Sequence, residues 1–357
     1  MIGKRTILAL LGLLPLFGHA QSPVAFPAVK PGHALTFPRD HGAHPQYRTE
    51  WWYVTGWLKD AGGNDYGFQV TFFRSRPGVQ EDNPSAFAPR QLVFAHVAIS
   101  DSRSARLHHD QRAARAVFDL AGAHEEDTNV WLGDWSLRRA GHGYVARIDG
   151  NGVGMSLRMQ PEQAILLQGE KGFSRKGPGS AQASFYYSRP HLAVSGTIML
   201  DGELFEVSGR GWLDHEWSSE VLAEDAQGWD WLGLNLDDGG ALMAFRIRRE
   251  DGSVHWAGGT YRDASGKVTV FRPRQISFEA LRRWRSPRTG AEYPVAMRVQ
   301  AGGMTVELDP MFDDQEIDAR ASTGTVYWEG AVTARHEGGI VGRGYLELTG
   351  YFNRPPI

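Results

Sequence analysis

The 357-residue chain contains no cysteine at all. That excludes disulfide staples, a thiol nucleophile, cysteine-based metal or cluster ligation, and a lipidated cysteine behind a leader segment. No charge of one sign dominates: 38 Lys and Arg stand against 41 Asp and Glu, with no long basic run, so a nucleic-acid partner is not expected. The apolar run Ile7 to Phe17 is too short, and too broken by Gly12 and Pro15, to span a membrane comfortably. A sustained helical period is lacking too, although Phe278 to Trp284 fits a short helix. Several catalytic signatures are also missing. His215-Glu216 opens the zinc-protease pattern, but Ser219 occupies the place of the second histidine. No G-x-S-x-G elbow exists, nor an S-x-x-K with its partner motifs. His108-His109-Asp110 has no second ligand cluster to complete a closed metal site. No metal and no cofactor is expected.

What is present is aromatic and turn-rich: 12 Trp, 11 Tyr, 17 Phe and 43 Gly. Glu50 to Leu58 (E-W-W-Y-V-T-G-W-L) and Tyr66 to Arg74 read as paired strands, and Gln91 to Ser100 as a third carrying His96. Ser102 to Asp127 is polar and reads as irregular or partly helical. Further on, Asn151-Gly152, Asp201-Gly202, Asp238-Gly239, Asp251-Gly252 and Ser265-Gly266 punctuate short apolar runs, as antiparallel hairpins do. The fold class is all-β, a barrel or sandwich, with a boundary near Ser219. At the amino end, Lys4 and Arg5, the apolar run Ile7 to Phe17, and Gly18-His19-Ala20 form a signal-peptide pattern over residues 1–20. A periplasmic or secreted protein, soluble after cleavage, is therefore expected.

The centre of the chain, Gly209 to Leu236, concentrates four tryptophans and the densest set of proton-handling groups. Strand alternation over 212–217 puts His215 and Trp217 on one face and Trp212, Asp214 and Glu216 on the other. The same rule pairs Trp229 with Trp231 and sets Asp230 opposite. The candidate catalytic residues are His215, Asp214, Glu216 and Asp230. Trp217, Trp229, Trp231, Trp52, Glu50 and His96 are candidates for lining an apolar ligand pocket, with His215 at its wall. A satisfied hydrogen-bond network capping a barrel is the competing account of the histidine and its acids.

These motifs resemble the secreted AttH-like proteins and carotenoid 1,2-hydratases. The matching pieces run nearly end to end: E-W-W-Y-V-T-G-W-L at 50–58, F-Q-V-T-F-F-R at 68–74, A-H-V-A-I-S-D at 95–101 and S-F-Y-Y-S-R-P at 184–190. W-L-D-H-E-W-S-S at 212–219, G-W-D-W-L-G-L-N-L-D-D-G at 228–239, Y-W-E-G at 327–330 and G-Y-L-E-L-T-G at 344–350 follow. The resemblance implies two tandem lipocalin-like antiparallel β-barrels, over residues 33–219 and 220–354. It also implies an exported protein with an ABC-type export system as partner, and the leading reading is a protein that binds an apolar lipid or isoprenoid ligand. For the hydratases it implies acid-catalysed addition of water to an isoprenoid double bond, with the family's histidine and tryptophan falling on His215 and Trp217. The hydratase Tyr and Asp belong on the strand Ala241 to Ile247, which contains neither, so Asp230 or Asp214 would have to serve. Many relatives carry the label of secreted hydrolase, and a hydrolase with His215 as general base is the other enzymatic reading.

Overall fold

The computed structural model describes residues 24–356, so the expected signal segment lies outside the described residues. Two antiparallel sheets account for almost all regular structure, one of thirteen strands over 49–220 and one of ten over 226–348. Each curls into a barrel, and the two follow one another along the chain. Among the described residues no helix is long and apolar enough to cross a membrane.

In the first sheet the long strands Ala183–Leu200 and Glu203–Glu220 form one hairpin, and Thr49–Asp60 pairs with the second of them. Its outermost strand, Arg106–Arg115, is the segment expected to be irregular. Its charged side chains suit a sheet edge, where they discourage pairing with another chain. Arg112 and Asp110 tie this edge to the turn at 149–151, which helps to close the barrel. The helix expected at Phe278 to Trp284 is instead part of the strand Ile276–Arg285. Register irregularities between Ala280 and Arg282, and between Arg282 and Trp284, interrupt its alternation and leave an apolar spacing that imitates a helical period.

Each barrel has its own apolar interior. Trp52, Phe68, Val97, Leu157 and Trp217 belong to the first, and Leu234, Met297, Val299 and Trp328 to the second. A third cluster lies between the barrels, built from outward-facing residues of both sheets, among them Tyr53, Trp57, Tyr186, Trp212, Trp231 and Tyr345. The sheets approach closely here. A Cβ on Gly67 would sit 2.6 Å from the Tyr345 hydroxyl and 2.7 Å from Ala331, so only glycine fits that crossing. Polar ties reinforce the seam: the Trp57 indole donates to the Gly344 carbonyl at 3.0 Å, and the Ser100 hydroxyl to Gln315 Oε1 at 2.7 Å.

Candidate functional site

The period of two in a strand decides where each central residue goes. In Glu203–Glu220, Asp214 and Glu216 face outward from the first barrel while His215 and Trp217 face its interior. Pairing aligns Tyr53 with Asp214 and Trp51 with Glu216, so the neighbouring strand presents aromatic rings beside both acids. From the second barrel, Trp229 and Trp231 face the same seam, next to Phe245 and Ile247 of Ala241–Arg249. Between these two surfaces lies a cavity of about 470 Å³. That is within the range of about 300–1,000 Å³ common for small-molecule sites.

Four carboxyl groups line it: Asp214 and Glu216 on one wall, Glu329 and Glu347 on the other. Asp214 is 2% exposed and accepts hydrogen bonds from Ser188 (2.5 Å), Tyr186 (2.5 Å) and the Trp212 indole (2.7 Å). Trp231 in turn donates to the Tyr186 hydroxyl at 3.0 Å, which links the two walls. Burial pushes the Asp214 carboxyl up to about 7, against the pull of its three donors. Glu216 is held by the Lys176 ammonium at 2.7 Å and by the Ser184 hydroxyl. That ammonium also lies over the Phe245 and Tyr186 rings, at 4.3 and 4.9 Å from their centroids.

On the opposite wall Glu329 and Glu347 are direct cross-strand partners. Two carboxylates so placed repel each other, which favours keeping a proton on at least one of them. Burial, and then Glu347, hold the Glu329 carboxyl well above the usual range; burial pushes Glu347 up to about 7. Glu329 Oε1 and the Tyr53 hydroxyl are buried and face one another, yet neither makes a well-formed hydrogen bond among the described residues. Buried polar atoms are seldom left so, and both belong to residues lining the cavity.

The expectation that His215 stands at the wall of this chamber is not met. Its ring is 0% exposed inside the first barrel, stacked 4.8 Å from Trp52 and 4.9 Å from Trp217. Nε2 meets Glu50 at 2.8 Å and Nδ1 meets the Tyr187 hydroxyl at 3.2 Å. The same Glu50 oxygen meets His44 Nδ1 at 2.8 Å, and Arg74 donates to the other oxygen at 2.8 Å. Asp40, 3.2 Å from His44 Nε2, completes the set. Burial would raise Glu50, but Arg74 and the two histidines hold it well below the carboxylate range. Burial pushes His215 down, while Glu50 and Asp40 outweigh burial to raise His44. Asp40, His44, Glu50 and Arg74 can thus balance as two anions and two cations. His44, Glu50 and His215 bring ligand atoms within 4.8 Å of one another. With their hydrogen bonds made and a guanidinium already on Glu50, they suit this balanced network better than a cation.

Glu50, Trp52 and Trp217 belong to that interior, so they too are separated from the cavity. Asp230 points away from Trp229 and Trp231, where Arg246 (2.5 Å), Arg248 (3.1 Å) and Tyr351 (2.9 Å) hold it. His96 does line the cavity and bridges the barrels, with Nδ1 2.8 Å from the Tyr327 hydroxyl and Nε2 2.8 Å from Ser322. Burial pushes it down to about 3. Of the expected residues, Asp214, Glu216, Trp229, Trp231 and His96 therefore share one chamber. Sequence reasoning missed Glu329, Glu347, Lys176, Tyr53 and Tyr186. The legible signal was an acid in mid-strand flanked by aromatic and aliphatic residues, in Y-W-E-G and G-Y-L-E-L.

Known proteins place this architecture. A crystal structure of a protein from Nitrosomonas europaea assigned as an AttH superposes with a TM-score of 0.87 at 54% identity, covering 92% of this chain and 100% of that one. Kievitone hydratase from Nectria haematococca shares the fold at 12% identity, with a TM-score of 0.69 over 92% of this chain and 97% of its own. CghA does so at 15% identity and a TM-score of 0.56, over 92% and 95%. No curated protein sequence matches. The AttH-like family model matches residues 28–351, and the chain belongs to the AttH-like family.

Proposed function

We propose that the cavity between the barrels binds an apolar small molecule, of lipid or isoprenoid type, and transfers protons to it in a hydratase-like reaction. The observation that carries this is Glu329, a carboxyl group held protonated among indole and phenol rings, with Asp214 on the facing wall. A carboxylic acid can protonate an alkene at neutral pH only if its surroundings keep its proton on, as burial does here. In the step proposed, the Glu329 proton goes to the less substituted alkene carbon and the π pair forms the new C–H bond. The tertiary cation lies against the Trp229 and Trp231 faces. Water adds to it, and its surplus proton passes to a carboxylate, a role this reading gives to Asp214. The fold shared with kievitone hydratase is in keeping with this, as is a signal segment that would send the protein out of the cytoplasm.

The test is incubation with a prenyl-chain alkene in heavy water, followed by mass spectrometry. A deuterium-labelled tertiary alcohol is expected from the native protein, and at least about 100-fold less from Glu329→Gln, the usual scale for loss of a general acid. Native protein that neither binds nor hydrates such chains would refute the reading.

A further inference from the structure

The charge inventory of the cavity is lopsided. Asp214, Glu216, Glu329 and Glu347 converge from both barrels, while of the cations that line the cavity Lys176 is engaged by Glu216, Arg74 by Glu50, and Arg48 stands at the exposed rim. Around the acids stand the rings of Trp51, Tyr53, Trp229 and Trp231. Carboxylates bring negative charge, and aromatic faces present the negative side of their quadrupole. A neutral ligand leaves this charge unmatched until a cation forms, and an anion would be repelled by it. Glu329 Oε1, buried with only the Tyr53 hydroxyl nearby and no well-formed hydrogen bond, adds an acceptor.

We propose that the cavity takes a lipophilic monocation, an alkylammonium whose head lies among the four carboxyl groups and whose chain lies against Leu222, Phe245 and Ile247. This rests on the reading of the cavity as a ligand site and names the chemistry of the ligand. Binding expels a proton. Asp214 faces Tyr186, Glu216 with its Lys176, and Glu347; Glu347 faces Glu329 and, through the sheet, Asp230; Glu329 faces Tyr53, Tyr327 and Tyr345. His96 stays neutral, and Arg48 lies exposed at the rim. With Asp214 and Glu347 both titrating near neutrality, a permanent cation replaces the proton that one of them holds below about pH 7.

The experiment titrates the full protein with decyltrimethylammonium, decyl sulfate and 1-decanol below their micelle concentrations. Tryptophan fluorescence and calorimetry report binding. The cation is expected to bind one to one, about tenfold or more tighter than either companion. Its affinity should rise about tenfold per pH unit up to about pH 7 and then level off. Glu329→Gln/Glu347→Gln, checked for folding by circular dichroism, should lose the preference and keep 1-decanol. Equal binding of cation and alcohol would overturn this inference alone. Cation binding indifferent to pH, or to the double substitution, would do the same. Failure of all three probes would overturn the ligand site itself.

Discussion

Replacing Glu347 by Gln should make the protein less sensitive to alkaline conditions. In the native fold Glu347 is paired across strands with Glu329, and burial lifts its carboxyl from 4.5 to about 7. A raised carboxyl binds its proton more tightly when folded than when unfolded. Its contribution is therefore intact below the unfolded value of 4.5 and is lost as pH climbs through about 7. Between about pH 5 and pH 8 the loss comes to about 2–3 kcal/mol, at about 1.36 kcal/mol per pKa unit. Glutamine keeps the shape and cannot ionise, so urea unfolding should show Glu347→Gln gaining about that much over the native chain at pH 8 and little at pH 5. The difference between the two proteins isolates this group from the remaining titrating groups. A variant that is uniformly weaker at every pH, or that follows the native pH profile, would show that the Glu347 carboxyl is not strained in the seam and would remove the neighbour invoked to help keep Glu329 protonated.

Other consequences are independent of that one. His215→Ala should cost about 2–4 kcal/mol in chemical denaturation, because it leaves a gap between Trp52 and Trp217 and strips Glu50 of a partner. Binding in the interbarrel cavity should nevertheless persist, and loss of binding with folding intact would place the histidine in the site after all. Asp230→Asn should lower stability by about 3–5 kcal/mol, since Arg246 and Arg248 would lose the anion they share, while ligand-induced fluorescence changes stay as in the native protein. Gly67→Val should force the barrels apart at Tyr345 and Ala331 and weaken ligand affinity and thermal stability together; an unchanged melting temperature would contradict the tight crossing.

What the sequence made legible was local and periodic. Alternation over 212–217 and 229–231 assigned every face correctly, because a two-residue period needs no tertiary information. It could not tell which face would meet the second barrel. Both faces of Glu203–Glu220 carry aromatic and ionisable residues, and both are buried. The histidine drew the eye because its intrinsic titration lies near neutrality, yet its environment was set by residues far away in sequence. Glu50 is 165 positions from His215, and His44 and Arg74 are held to Glu50 in turn.

The acids of the second wall were harder to see for a related reason. Glu329 and Glu347 sit in strands near the end of the chain, and nothing in either strand says that the two will be paired. Once Thr325–His336 pairs with Gly339–Leu348, the hairpin register places one carboxyl directly across from the other. Packing against Tyr53 then removes the water that would have screened them. The unusual proton affinity of this wall is thus a property of the seam between two barrels and belongs to neither barrel alone. An isolated carboxyl barrel would leave Glu329 facing water, with only the cross-strand Glu347 to favour its proton. Asp214 depends on the seam in the same way, since the Tyr186 that binds it is itself bound by Trp231 from the other barrel. Joining the barrels is what turns two sets of surface acids into one sheltered, proton-holding site.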